Sequence, residues 1–344
     1  KAAGATDTTL VKTGAGELQL AAKNTFGGKV LIKEGRLTYG AGGESTESSL
    51  TGNTDAVELA SADTNAPAQF AVNFSDTWTV DRDITGAGDF VQEGSGTTVV
   101  NRALQHSGRT LIRGGVLELS DGGVLGTGTS AIDTGEGDQS GLLAFNQTGE
   151  HTWSRGLTGT GGIVKKNTGT LTLSSADAQK TFTYSGSTRV EAGKLMLATG
   201  NSITGTETLD VSAKTDEATF TIQGTATVRD NVVLAREAAA GSLSTLELDG
   251  STLEAANILS ARKADETGRI RLSMKEGATV KLHGTGTLFE NFDTRSVSEG
   301  GKGDVVEIGT NGATLSVEAG EVITQAATAA ISKADGATDT TLVK

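Results

Sequence analysis

Hydrophobic and polar residues alternate with a period of two along short stretches of this chain, and one arrangement of such stretches occurs three times. It runs from an alternating segment through a polar turn with glycine to a second alternating segment, a further glycine turn and a closing segment. Period-two alternation predicts strands with one buried face. A recurring strand-and-turn unit predicts a solenoid whose turns stack on one another. The opening segments cover 11–20, 91–100 and 164–173, and the closing segments 24–37, 107–119 and 184–197.

The repeated arrangement resembles the passenger-associated repeat of bacterial autotransporters, the type V secreted proteins. That repeat has a K-x-G-x-G-x-L-x-L strand, a polar turn and a closing G-G-x-L strand. The resemblance extends upstream, because a tryptophan precedes the second and the third copy at an equivalent point. The residues that we assign to the framework of the repeat are Trp78, Trp153, Gly14, Gly16, Gly94, Gly96 and Gly169.

The resemblance implies an all-β, right-handed parallel β-helix that forms a single elongated rod, in a passenger of the self-associating adhesin type. Its rungs are clearest near 10–37, 78–119 and 153–197, and more diverged rungs follow over 200–330. In Thr77-Trp78-Thr79 and Thr152-Trp153-Ser154 the alternation places each indole on the face of the strand opposite to that of its polar neighbours. This favours a position in the core for both tryptophans, although an exposed ring that stacks on a sugar is the alternative.

The two ends of the sequence are nearly identical. Residues 1–12 and 333–344 agree at eleven of twelve positions. We therefore expect 1–332 to be one β-helical repeat unit and 333–344 to be the start of the next copy in a tandem array. A single local duplication is the alternative.

Composition supports a narrow coil with many tight corners. The 344 residues include 48 glycines and one proline, and aromatic residues make up only 4%, so the core has to come from Leu, Val, Ile and Ala. Cysteine is absent, which suits a protein carried unfolded through a periplasm and an outer-membrane pore. The net charge of −13 argues against nucleic-acid partners, which require a basic face.

Candidate catalytic and metal-binding motifs give weak signals. Glu247, Asp249 and Glu254 are close in sequence, but no neighbouring base or aromatic suggests a carbohydrate-active site, so we interpret them as solvated. The histidines, His106, His151 and His283, lack metal-ligand spacing. Gly-rich turns lead into strands, whereas a nucleotide loop would open a helix. We expect no catalytic residues, no metal and no cofactor.

Two longer excursions interrupt the rungs and are the candidate binding loops, since loops on a rigid scaffold often carry function. The first covers 40–52 and offers Glu44, Ser45 and Glu47. The second covers 286–303 and offers Phe289, Phe292 and Arg295. Harmless insertion is the alternative for both.

Taken with the resemblance, these observations predict a non-enzymatic adhesin or stalk segment on the surface of a Gram-negative cell, active in adhesion, self-association or biofilm formation. Its partners would be further copies of itself, through outward columns of Thr, Ser, Asn and Asp, or a host matrix protein or glycan. A carbohydrate-active β-helix enzyme is a further alternative. No signal peptide and no 18-residue apolar run are present. The resemblance implies that a C-terminal β-barrel outside this chain anchors it to the outer membrane.

Overall fold

The alternating segments form short parallel strands in a computed structural model. It describes residues 8–24, 28–47, 49–50, 56–61, 65–126, 132–133, 141–176, 180–263, 266–295, 298 and 302–343. A short 3-10 turn lies at Ser45–Glu47. The chain divides into two units, Lys1–Asn146 with Arg155–Gly161, and Gln147–Ser154 with Gly162–Lys344.

The strands of the first half of the chain are β1 (Leu10–Lys12), β2 (Glu17–Leu20), β3 (Lys23–Asn24), β4 (Val30–Ile32), β5 (Arg36–Tyr39), β6 (Ser49–Leu50), β7 (Val57–Leu59), β8 (Gln69–Val72), β9 (Thr77–Thr79), β10 (Ile84–Gly86), β11 (Asp89–Gln92), β12 (Thr97–Val100), β13 (Gln105–His106), β14 (Thr110–Ile112), β15 (Val116–Ser120), β16 (Ile132–Asp133), β17 (Leu142–Asn146), β18 (Glu150–Trp153) and β19 (Leu157–Gly159).

Those that follow are β20 (Gly162–Lys166), β21 (Thr170–Leu173), β22 (Thr181–Tyr184), β23 (Thr188–Val190), β24 (Gly193–Leu197), β25 (Ser202–Thr206), β26 (Leu209–Val211), β27 (Glu217–Ile222), β28 (Thr225–Val228), β29 (Val232–Leu234), β30 (Leu243–Asp249), β31 (Thr252–Ala255), β32 (Ile258–Ser260), β33 (Arg269–Lys275), β34 (Ala278–Leu282), β35 (Gly286–Leu288), β36 (Val305–Ile308), β37 (Ala313–Val317), β38 (Ile323–Gln325), β39 (Ile331–Lys333) and β40 (Leu342–Val343).

Each unit is a parallel β-helix, which confirms the predicted fold class. In the first unit the strands run side by side in the orders β1-β4-β7-β10-β13, β2-β5-β8-β11-β14-β16-β19 and β9-β12-β15-β17. In the second unit the orders are β18-β21-β24-β27-β30-β33-β36-β39, β22-β25-β28-β31-β34-β37-β40 and β20-β23-β26-β29-β32. Every neighbour in these orders belongs to the next turn of the coil, so the backbone of each turn pairs with the turns directly before and after it.

Each copy of the repeat forms four strands. Two of them lie in one turn of the coil, and the other two lie in the next turn and pair with them. In the first copy β1 pairs with β4 and β2 with β5. In the second copy β11 pairs with β14 and β12 with β15, and in the third copy β20 pairs with β23 and β21 with β24. The repeat therefore encodes a bend of the coil together with the bend that covers it.

We call this pair of stacked bends the glycine corner, because a glycine in the second bend makes the closest contact with the first bend. Gly193 has a φ of +65°, and a Cβ there would lie 2.5 Å from the carbonyl oxygens of Asn167 and Gly169 in the preceding turn. Only glycine combines this backbone conformation with so close an approach. The equivalent residues are Gly35 over Gly14 and Gly16, and Gly115 over Gly94 and Gly96.

Both tryptophans are buried in the core of their units. Trp78 is 7% exposed, and its ring lies 5.5 Å from the ring of Tyr39 and 6.2 Å from that of Phe74. Trp153 is also 7% exposed. This burial is incompatible with stacking on a sugar.

We predict that Gly193→Ala destabilises the second unit far more than Gly200→Ala does. Gly200 is the matched control, because its φ is +74° but no atom lies within 4 Å of a Cβ built there. The control should lose about 1 kcal/mol from the strained backbone. Gly193→Ala should lose at least about 2 kcal/mol more, since two carbonyl groups must move.

Urea unfolding followed by circular dichroism measures the difference, and hydrogen exchange of residues 188–197 locates it. If both variants lose the same free energy of unfolding, the close approach at Gly193 does not contribute to stability.

Candidate functional site

The inside of the glycine corner holds a polar side chain that the sequence pattern did not single out. Lys165 is 2% exposed and lies in the inward column with Val190 and Val211. Its Nζ donates hydrogen bonds to the carbonyl oxygens of Lys166 at 2.5 Å, Asn167 at 2.7 Å and Ala192 at 3.4 Å. Burial lowers the pKa of Lys165 to about 8, so the ammonium remains charged at neutral pH and binds both bends of the corner.

The first two copies repeat this arrangement. The Nζ of Lys12 donates to the carbonyl oxygens of Gly14 at 2.6 Å and Glu34 at 3.1 Å. In the second copy the amide of Gln92 takes the same place and donates to the carbonyl oxygen of Gly94 at 2.9 Å. The K-x-G-x-G motif therefore places a hydrogen-bond donor inside the coil, and an uncharged amide also serves.

The framework glycines occupy the opening bends. A Cβ at Gly94, Gly96 or Gly169 would lie 2.0 to 2.4 Å from a carbonyl oxygen of the preceding turn. Gly14 and Gly16 have no atom within 4 Å of that position, so close approach does not require glycine there.

The outward face of β21-β24-β27-β30-β33-β36 carries two columns of mainly polar side chains in register. One column contains Thr170, Lys194, Thr219, Thr245, Arg271 and Val305. The other contains Thr172, Met196, Thr221, Glu247, Ser273 and Glu307. We call these the basic column and the acidic column, after Lys194 and Arg271 in one and Glu247 and Glu307 in the other. They form a regular surface because each turn places equivalent residues directly above the last; within it Thr221 is covered and only 3% exposed.

The acidic residues of β30 have the basic partner that the sequence did not reveal. The Nζ of Lys275 lies 2.5 Å from Glu247 and 3.9 Å from Asp249. Thr221 donates a further hydrogen bond to Glu247 at 3.0 Å. Burial raises the pKa of Glu247, but the hydrogen bond from Lys275 opposes it, and the net pKa is lowered. Our interpretation of these acids as merely solvated is therefore wrong, because Lys275 stacks beside them from the next turn.

The first candidate loop is attached to the turn that follows it. The backbone N–H and the hydroxyl of Ser45 donate to the carboxylate of Asp76 at 2.7 and 2.8 Å. Glu44 is exposed beside it, and Glu47 ends the short helix. The residues 48 and 51–52 of this loop lie outside the described part of the chain.

The second candidate loop buries the two rings that we proposed for binding. Phe289 and Phe292 are 0% exposed, with ring centroids 5.4 Å apart. A binding role for these rings is wrong, because they form a small apolar core beneath the loop. Arg295 remains half-exposed and pairs with Asp293 at 2.6 Å. The hydrogen bond from Arg295 lowers the pKa of Asp293. Residues 296–297 and 299–301 lie outside the described residues.

A buried ion pair fixes the base of this second loop. Arg262 binds both oxygens of Asp304 at 2.8 and 2.9 Å, and the two side chains are 3% and 0% exposed. The backbone N–H groups of Ile270 and Asp293 donate to the same carboxylate at 3.0 and 2.9 Å. Removal of either partner would leave a buried charge without its counter-charge, which is strongly destabilising.

A cleft of about 730 Å³ opens on the first unit, and Lys33, Arg36, Arg109, Glu34 and Pro67 are among its lining residues. Two of its cations already have acidic partners. Arg36 pairs with Glu17 and Glu93, and Arg109 with Asp89 at 3.1 Å. The cleft therefore offers a surface that is basic only in part.

His106 is a core residue of the first unit. It is 0% exposed, and its Nε2 lies 3.0 Å from the hydroxyl of Thr110. The pKa of His106 is lowered to about 4, mainly by burial and also by nearby Arg155, while Asp89 opposes the change. In the described residues no group of three or more acidic or histidine side chains is placed to hold a metal ion. None of these residues forms a helix that could cross a membrane.

We predict that Lys165→Met destabilises the second unit by about 2 kcal/mol, because it keeps the packing and leaves carbonyl oxygens without their donor. Lys165→Gln should cost less than half as much, since Gln92 already fills this position in the second copy. Urea unfolding compares the two variants. Equal losses would mean that filling the space matters and hydrogen bonding does not.

A second prediction concerns acid stability of the first unit. The pKa of His106 is about 4 when folded and 6.5 in the free side chain, so between these values the unfolded chain binds more protons. Stability should therefore fall by up to about 3 kcal/mol as the pH drops from 6.5 to 4. His106→Gln should lack this component in urea unfolding across that pH range. Parallel pH profiles for the two proteins would contradict the assignment.

Comparison with known families agrees with the repeats seen in the structure. The model of the Passenger-associated-transport-repeat matches residues 10–38, 90–119 and 163–197, the three segments that build the glycine corners. Neither the curated proteins nor the solved structures gave a match to this chain. The three matches show that the chain carries the passenger-associated-transport-repeat and indicate an autotransporter passenger.

Proposed function

We propose that this segment is a non-enzymatic adhesin or stalk on the surface of a Gram-negative cell, and that copies of it associate side by side. The observation that supports this function is the pair of outward columns on the second unit. They present a regular array of hydroxyl, basic and acidic groups, whereas an enzyme would need a cleft with converging reactive groups.

The order of charges in the two columns suits pairing of identical faces. Around a two-fold axis parallel to the coil, the basic column of one copy faces the acidic column of the other. Arg271 shares its turn with Ser273, and the neighbouring turns carry Glu247 and Glu307. Within its own copy Arg271 already pairs with Glu307 at 3.6 Å, and Glu247 with Lys275 at 2.5 Å. In the pair of copies Arg271 would add contacts to two carboxylates of the opposite copy, at levels about 4.8 Å above and below it.

Each such contact is weak, since exposed ion pairs contribute about 0 to 1 kcal/mol. Association would gain its strength from the number of contacts in one face and from several copies acting together. Because a two-fold axis parallel to the coil keeps both copies pointing in the same direction, this pairing would join passengers that project from one cell surface.

Sedimentation velocity of the intact chain, from micromolar to near-millimolar concentration, tests the proposal. We expect the average mass to rise with concentration and the rise to weaken with added salt. Arg271→Glu should reduce association, as should Glu307→Arg, and a mixture of the two variants should restore it. Lys281→Glu is the matched control, because Lys281 is an exposed base on β34.

A monomer at every concentration would reject side-by-side pairing. Binding of an acidic glycan or peptide in the partly basic cleft of the first unit would then be the better candidate. Equal effects of Arg271→Glu and Lys281→Glu would show that association depends on net charge and not on the columns.

A further inference from the structure

A second sheet of the second unit carries a column of hydroxyl side chains on its outer face. The sheet has the order β22-β25-β28-β31-β34-β37, and the first outward position of each strand is threonine or serine. Neighbouring strands lie about 4.8 Å apart, so the column presents hydroxyl groups at that interval along the coil. We call it the hydroxyl column. Its members, all at least partly exposed, are Thr181, Ser202, Thr225, Thr252, Thr279 and Thr314.

Most hydroxyl groups of this column are available to a molecule on the surface. Thr181 and Ser202 bond to each other at 3.0 Å. In the described part of the chain, no protein group bonds to the hydroxyls of the other members, Thr225, Thr252, Thr279 and Thr314. A hydroxyl both donates and accepts hydrogen bonds, and the β-branched threonine side chain is already restricted at χ1. These groups therefore offer both functions and lose little freedom on binding.

A small polar pocket lies beside the hydroxyl column. It has a volume of about 190 Å³, and its lining residues include Glu254, Lys281, His283, Ser316 and Glu318. Glu254, Lys281 and Ser316 are in register with one another. Each lies two residues beyond a member of the hydroxyl column, about 7 Å away along its strand. The column and the pocket therefore share one face of the sheet.

The charge of this face favours an uncharged partner. The hydroxyl column carries no charge, and the pocket sets the carboxylates of Glu254 and Glu318 against the ammonium of Lys281. Carboxylates accept strong, charge-assisted hydrogen bonds from hydroxyl groups, whereas they repel the acidic groups of a polyanion. A neutral partner rich in hydroxyl groups therefore complements both the column and the pocket.

We propose that this face binds an extended, neutral polysaccharide of β-1,4-linked sugars, whose chain lies along the hydroxyl column. Successive rings of such a polymer follow one another at nearly the spacing of successive turns, so each turn offers one hydroxyl to each sugar. Glu254 and Glu318 accept hydrogen bonds from hydroxyl groups on the side of the polymer. Each bond is weak, so binding depends on how many turns the polymer spans. The face belongs to a different sheet from the columns proposed for side-by-side pairing, and either proposal can fail without the other.

Titration of the intact chain with cellohexaose, a neutral hexasaccharide with β-1,4 linkages, tests the proposal by saturation-transfer NMR. We expect saturable binding, and cellobiose should bind at least about tenfold more weakly because it reaches fewer turns. The double variant Thr252→Val with Thr279→Val keeps side chains that favour strands and removes two hydroxyl groups. It should therefore weaken the binding of cellohexaose by about tenfold or more.

Thr219→Val with Thr245→Val is the matched control, because both threonines lie on the outward face of the other sheet. This double variant should bind cellohexaose as the unchanged chain does. Glu254→Ala should weaken binding several-fold through the pocket. Glu217 is an exposed acid on β27, so Glu217→Ala should have no effect. Circular dichroism checks that every variant keeps the fold.

Absence of saturable binding would overturn the proposal, as would equal effects of the two double variants. Tighter binding of a heparin hexasaccharide than of cellohexaose would also overturn it, because that result would show a preference for a polyanion. Side-by-side association would still raise the mass in sedimentation of the chain without any sugar, so a failure of one proposal is distinguishable from a failure of the other.

Discussion

The stacking of one bend of the coil on the next is the constraint on which the rest of this structure depends. At a bend the backbone leaves the regular strand ladder, so its carbonyl groups need other partners. The glycine corner supplies them by letting the following turn approach closely at Gly193 and by placing the ammonium of Lys165 inside. Neither device works without the other, because a bulkier residue would separate the bends and an apolar one would leave oxygens unsatisfied.

Regular stacking at the corners also determines the outer surface. When turns keep the same register, equivalent side chains fall into straight columns, as Glu247, Ser273 and Glu307 do. Loops such as the one before Asp304 are inserted between two turns, and the columns on either side stay in register. The second loop has its own small core of Phe289 and Phe292 and its own buried ion pair. The scaffold and the loop are thus stabilised by different sets of contacts.

Much of the fold could be predicted from the sequence, because strand alternation and glycine spacing are local signals. The repeated segments identified the bends, and the alternation around Trp78 placed that ring in the core. The contacts between turns were harder to predict. Lys275 meets Glu247 only through a register that depends on the length of every intervening turn, and an isolated lysine such as Lys165 usually predicts a solvated side chain. The sequence alone predicts surface positions for Phe289 and Phe292, because nothing local shows that a loop folds over its own aromatic rings.

Pairing between successive turns has a consequence for how such a chain acquires its structure. The partners Leu10 and Val30, or Arg271 and Val305, are separated by only one circuit of the backbone, so no contact has to wait for a distant part of the polypeptide. Formation can begin wherever one bend first closes and then spread in either direction, each new circuit using the previous one as its template. Partly formed molecules would be shorter versions of the finished coil, with intact circuits up to a moving boundary and unstructured chain beyond it.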